Sequence, residues 1–278
     1  MGFTSRLRAA ALLVLLVTIA QAQSSKTYLG MDRNEYPGDA AMKALRQTFA
    51  FTGYWLNNPP GEKQNSWQGH RRVVESLDFG FLLLFNGREY AAIKASGDAA
   101  KLGMSDAAVA IQSAQREGFP KGAIIFLDQE QGGRMLPEQR AYIHAWADAV
   151  ERGGYRAGIY CSGIPFRESS KVSVVTAEDI RDHANGRNLQ FFVSNDHCGP
   201  SSGCVFRKPP PTPKDSGVGF ANLWQYAQSP RRPEMTAACR QTYAADGECY
   251  APGFSQDSGL HLDVDSADSP DPSHGRTR

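Results

Sequence analysis

Asp128-Gln129-Glu130 follows an apolar run, Ala123 to Leu127, and sets two acids two residues apart. Side chains alternate along an extended strand, so residues i and i+2 share a face. If Asp128 points into a concavity, Glu130 points into the same one. Two carboxylates in one concave site repel, which raises the pKa of at least one. A carboxyl held protonated can give its proton to a leaving oxygen, while an ionised neighbour stabilises developing positive charge. Glycosidic bond cleavage needs that pair. An isolated Asp-x-Glu more often marks a solvated loop than a catalytic pair. Here, however, Asp32 closes the first short strand, and Asp263 and Asp265 lie in the last one. Acids therefore mark three separate strands.

The elements that must position them alternate strand and helix signals. Tyr28 to Asp32, Phe49 to Leu56, Gly80 to Phe85, Ala123 to Leu127 and Arg156 to Cys161 read as strands. Helical spacing follows Met42, Leu45 and Phe49, then spans Trp67 to Leu77. A third helix is expected from an N-cap at Ser105 to Gly118. A fourth starts at Pro137 and carries Ile143, Trp146, Ala147 and Val150 on one face, and a fifth is capped by Thr176. Later strands, Gln190 to Ser194, Asn222 to Tyr226 and Leu260 to Asp265, are joined mostly by loops, with a possible short helix from Met235 to Gln241. Five βα units followed by three strands give an α/β fold, a (β/α)8-type barrel. Active sites of such barrels lie at the strand ends around one mouth. Aromatic rings near strand ends, Tyr54, Trp55, Tyr160, Trp224 and Tyr226, could stack on sugar rings or fill the core. Arg88 and Arg134 read as solvated surface arginines.

The segments Tyr28-Leu29-Gly30-Met31-Asp32, Ile124 to Glu130, Gly154 to Tyr160, Leu223-Trp224-Gln225-Tyr226 and Leu262-Asp263-Val264-Asp265 resemble the family 25 glycoside hydrolases, the Chalaropsis-type lysozymes. They resemble still more closely a related glycoside-hydrolase-like TIM-barrel family of unknown function. The resemblance spans nearly all the mature chain, in order. It implies that the catalytic acid falls on Glu130 and the supporting carboxylates on Asp32, Asp128 and Asp263. Asp265 stands where the lysozymes more often have an amide. Substrate contacts are expected from Tyr54, Tyr160, Trp224, Tyr226 and Asp265. Two loops depart from the lysozyme pattern: Arg33-Asn34-Glu35-Tyr36-Pro37-Gly38 after the first acid, and Gly132-Gly133-Arg134 after the fourth strand.

The 278 residues carry a formal net charge of +1, and 41% are hydrophobic. That hydrophobic share excludes a disordered chain. A near-neutral charge gives no reason to expect nucleic acid or an anionic membrane as a partner. Arg6 and Arg8, the apolar run Ala9 to Ala20 and Ala20-Gln21-Ala22 read as a secretory leader, 1–22, cleaved after Ala22. The rival, an uncleaved anchor, is disfavoured by the shortness of the run. The barrel domain is expected over 23–265, with a disordered polar tail at 266–278. Secretion, or export to the periplasm, brings cysteines into an oxidising compartment. The simplest local pairs are Cys198 with Cys204 and Cys239 with Cys249, which leaves Cys161 alone. Zinc is the rival reading, but the spacing is not CxxC. The run from Asp263 to Asp268 lacks the glycine and glutamate of a calcium loop. The expectation is a monomer acting on cell-wall polysaccharide, with no metal or organic cofactor. It is either a secreted glycoside hydrolase using Glu130 as general acid or a non-catalytic envelope protein binding glycan on the same barrel.

Overall fold

The short apolar runs form strands because they can be buried on both faces of a sheet covered by helices. A computed structural model describes residues 26–195, 209–229, 251, 253–254 and 256–277. The expected leader, the four cysteines expected to pair and the segment 235–241 lie outside the described residues. In chain order the strands are β1 (Tyr28–Asp32), β2 (Phe51–Trp55), β3 (Gly80–Asn86), β4 (Ile124–Asp128), β5 (Arg156–Ser162), β6 (Pro165–Arg167), β7 (Ser173–Val175), β8 (Gln190–Ser194), β9 (Leu223–Ser229) and β10 (Leu262–Ala267). The helices are α1 (Asp39–Leu45), α2 (Arg71–Ser76), α3 (Tyr90–Ala95), α4 (Ala99–Glu117), α5 (Pro137–Arg152) and α6 (Thr176–Asp182).

Eight strands close a barrel in the order β1-β10-β9-β8-β5-β4-β3-β2. Neighbours run parallel except β10, which is antiparallel to both β1 and β9. The last strand thus departs from a fully parallel barrel. Leu262 pairs with Ser229, so β10 starts where β9 ends and runs back down. An antiparallel return needs no crossover helix. A small hairpin, β6 with β7, stands outside the barrel and was not expected from the sequence.

Two helix starts also differ from expectation. α4 begins six residues before Ser105, because Asp98 accepts from Lys101 N at 2.9 Å and is the N-cap. Thr176 opens α6 but does not cap it. Its hydroxyl accepts from Gly133 N at 2.8 Å and donates to Gly133 O at 3.1 Å.

The tail expected to be disordered is ordered through residue 277 and plugs the barrel bottom. Ser273 is fully buried between β3 and β4, where their ladder has not yet begun. Its hydroxyl accepts from Leu83 N at 2.8 Å, its carbonyl accepts from Ile124 N at 2.9 Å, and its amide donates to Phe81 O at 2.9 Å. The Asp271 carboxylate accepts from Phe81 N at 2.8 Å. A Cβ on Gly80 would collide with Pro270 O. The segment is polar because its polar atoms complete the backbone bonding of two splayed strands.

Candidate active site

Asp32 ends β1, Asp128 ends β4 and Glu130 follows two residues on. Asp263 lies one residue inside the start of β10 and pairs in register with Asp32. Because β10 is antiparallel, its start lies at the same rim as the ends of the parallel strands. All four carboxylates line one cavity of about 320 Å³, together with Trp55, Tyr160, Gln225 and Asn34. Gly53 makes room for Asp32, since a Cβ there would collide with the Asp32 side chain.

Two smaller cavities flank the mouth. One of about 180 Å³ shares Asn34 and Asp263 with it and adds Arg33, Glu35, Glu62 and His261. The other, about 210 Å³, shares Pro60, Asp128 and Glu130. Together they make a depression across the barrel rim, and Glu130 stands at one junction. Arg88, near that junction, is held by Asp106 through two bonds of 2.8 Å. Arg134 pairs with Glu168 at 3.3 Å.

Asp128 is buried, whereas Glu130 is exposed. Burial pushes the Asp128 carboxyl well above the usual range, and the charges of Glu130 and Asp32 push it further. Asp128 also hydrogen-bonds Glu130, yet its Oδ1 has no partner among the described residues. Asp265 lies one layer below. It is fully buried, in contact with Asp32, and raised by burial, then by Asp32 and Asp263. Gln225 ties this layer together: its amide donates to Asp32 Oδ2 at 3.1 Å and its Oε1 accepts from Tyr160 OH at 2.8 Å. Burial holds the Tyr160 phenol well above its ordinary pKa, so it remains a donor.

The structure does not bring every expected residue to the mouth. Tyr54 points away from it, where its hydroxyl donates to Glu117 Oε2 at 2.7 Å and its ring packs on Trp67, Phe81 and Phe119. Strand alternation gives the mouth to Trp55 instead. Trp55 donates from Nε1 to Arg33 O at 3.1 Å and so fixes the first loop. Trp224 also faces out, with Nε1 donating to Asn195 O at 3.1 Å and its ring 5.5 Å from Tyr226. Neither Trp224 nor Tyr226 lines the mouth cavity. The β9–β10 register skips Tyr226, a bulge that turns both Gln225 and Gln228 toward the rim. Tyr160 keeps its expected place, and Asp265 sits beneath the mouth rather than lining it. Gln225 escaped sequence reasoning because an amide carries no titration signal. Its place between two aromatic residues of a strand was the available clue.

A closed barrel with acids from β1, β4 and β10 at one rim defines a glycoside-hydrolase-like barrel protein. The chain belongs to the Rv2525c-like, glycoside hydrolase-like domain family, whose family profile matches residues 51–195. It is similar to an uncharacterised protein of B. stearothermophilus, with 18% identity over 86% of this chain and 95% of that one and a TM-score of 0.51. It is similar to the Tat-secreted protein Rv2525c of Mycobacterium tuberculosis, with 14% identity, 89% and 97% covered, and a TM-score of 0.51. It is also similar to GHIP, a glycosyl hydrolase 25 of Streptococcus pneumoniae participating in host cell invasion, with 11% identity, 86% of both chains covered and a TM-score of 0.52. At these identities the likeness establishes the fold. No curated protein matches the sequence.

Proposed function

We propose that the protein is a secreted glycoside hydrolase that cleaves a cell-wall glycan of N-acetylated amino sugars, with Glu130 as general acid. The observation that carries this reading is the Asp128–Glu130 pair, one member buried and raised, the other open to the cavity. Two hydrogen-bonded carboxyls share one proton, which rests on buried Asp128 in the free protein. The unpartnered Asp128 Oδ1 is an acceptor waiting for a donor. An acetamido N–H of the substrate supplies one. That bond stabilises Asp128 as an anion and passes the proton to Glu130, which protonates the leaving oxygen. Ionised Asp128 and Asp32 stabilise the oxocarbenium-like state. Asp263 and Tyr160 bind the sugar, and Trp55 offers an aromatic wall.

The leader, cleaved after Ala22, and the pairs Cys198–Cys204 and Cys239–Cys249 belong to the same reading, as does a monomer. The Tat-secreted relative supports export, and among the described residues no helix is long and apolar enough to cross a membrane. The test is reducing-end release from purified peptidoglycan. Glu130→Gln should lower turnover by at least about 10²-fold while the fold and glycan binding persist, because the amide keeps the size but has no acidic proton to transfer to the leaving oxygen. Wild-type turnover in that variant removes Glu130 from the mechanism. Wild-type protein that binds glycan and never cleaves it returns the non-catalytic reading.

A further inference from the structure

On the barrel flank, away from the mouth, a groove of about 630 Å³ is lined by Arg71, Arg72, Arg116, Glu117, Gln68 and Gly69, among others. It shares no residue with the mouth cavity or its two neighbours. The near-zero net charge of the chain conceals this separation of an acidic rim from a basic flank.

The charges in the groove are not equivalent. Buried Arg71 is already matched: its guanidinium meets Glu75 at 3.2 Å and Gly275 O at 3.1 Å. Glu117 faces the wall, where Oε2 takes the Tyr54 hydroxyl at 2.7 Å and Oε1 takes Gly69 N at 3.0 Å. Arg72 and Arg116 are exposed and have no carboxylate partner among the described residues. Arg116 bonds Ser113 Oγ at 3.0 Å, which orders its side chain. Arg72 comes from the first turn of α2 and Arg116 from the last turn of α4, so two guanidinium forks rise from separate elements into one open groove.

We propose that this groove binds a phosphate group of a polyol-phosphate polymer, independently of the mouth. A guanidinium fork matches two oxygens of an oxyanion. A carboxylate holds its two oxygens in one plane, whereas a phosphodiester spreads four oxygens, two of them charged, about a tetrahedral centre, so forks approaching from different directions can both bond it. Nucleic acid also carries phosphodiesters. Its single strands gain affinity by stacking bases on aromatic faces, and the rings beside this groove, Tyr54 and Trp67, are fully buried. The flank therefore favours a chain without bases. It would hold the protein on an anionic envelope polymer while the acidic rim repels that polymer and stays open to the uncharged glycan.

The test titrates the mature protein with poly(glycerol phosphate), polygalacturonate and single-stranded DNA by calorimetry at two salt concentrations. The expected result is salt-sensitive binding of poly(glycerol phosphate), weakened about tenfold or more in Arg72→Ala/Arg116→Ala. Glu130→Gln should bind it as wild type does. No binding by wild type, or binding unchanged in the double variant, overturns the site. Equal or tighter binding of polygalacturonate or DNA overturns the polyol-phosphate assignment. Both arginines are exposed, so the variant should keep the wild-type melting temperature. None of these outcomes depends on whether the mouth hydrolyses glycan.

Discussion

Asp265 is fully buried and, among the described residues, neither of its oxygens accepts a bond from an N–H or neutral hydroxyl donor. Its contact is the Asp32 carboxylate. Burial and the charges of Asp32 and Asp263 all favour its neutral form, in which it serves Asp32 as an amide would. The consequence for stability has a definite sign. Asp265 and Asp128 both have folded-state pKa values above the unfolded value of roughly 3.9. Between the unfolded and folded values the folded state holds more protons, so their contribution is full below about pH 4 and is lost as pH rises through the folded values. Asp32 from β1, Asp263 from β10 and Glu130 just after β4 face this pair, and their negative charges deepen the effect, while the neutral Tyr160 phenol of β5 adds no charge. Asp265→Asn removes one titrating group and keeps a donor for Asp32. Thermal melts of this variant should show a larger gain over wild type at pH 8 than at pH 5. An equal change at both values, or a loss at pH 8, ends the assignment of the proton to Asp265.

Among the elements, the C-terminal segment shows what the sequence could and could not reveal. Strand runs were legible because burial on both faces demands continuous apolar residues, as in Leu82 to Phe85 and Ile124 to Leu127. The acids at strand ends were legible because Asp-x-Glu implies a shared face. Which face an aromatic residue takes was not legible: Tyr54 and Trp55 are adjacent, and alternation alone does not say which one turns in. Nor was the bulge at Tyr226, since register is set by the partner strand. The polar tail misled because its side chains are spent on backbone donors of distant strands, a signal absent from local composition. Ser273→Ala would leave Leu83 N buried without an acceptor. It should cost roughly 1–3 kcal/mol by denaturant unfolding. A loss under about 0.5 kcal/mol would mean that the hydroxyl bond is dispensable, as expected of surface positions.

At the scale of the whole molecule, the family match and the folding unit do not coincide. Residues 51–195 contain β2, β3, β4, β5 and β8, a run of neighbours in the barrel, and omit β1, β9 and β10. The omitted strands supply Asp32, Gln225, Asp263 and Asp265, four of the groups that converge at or below the mouth. They also supply closure. Without them β2 and β8 become open edges with unpaired backbone groups, and the core loses the buried Met31, Leu262 and Val264. The plug between β3 and β4 is lost as well. A barrel wall is stable only when its hydrophobic face is covered. The fragment 51–195 should therefore fail to fold alone, giving collapsed amide dispersion in a two-dimensional NMR spectrum and no cooperative thermal transition. The chain from residue 23 to 278 should give both dispersion and a cooperative melt. A fragment that unfolds cooperatively would show that five strands make an autonomous unit, with the three acids of β1 and β10 attached to a preformed scaffold.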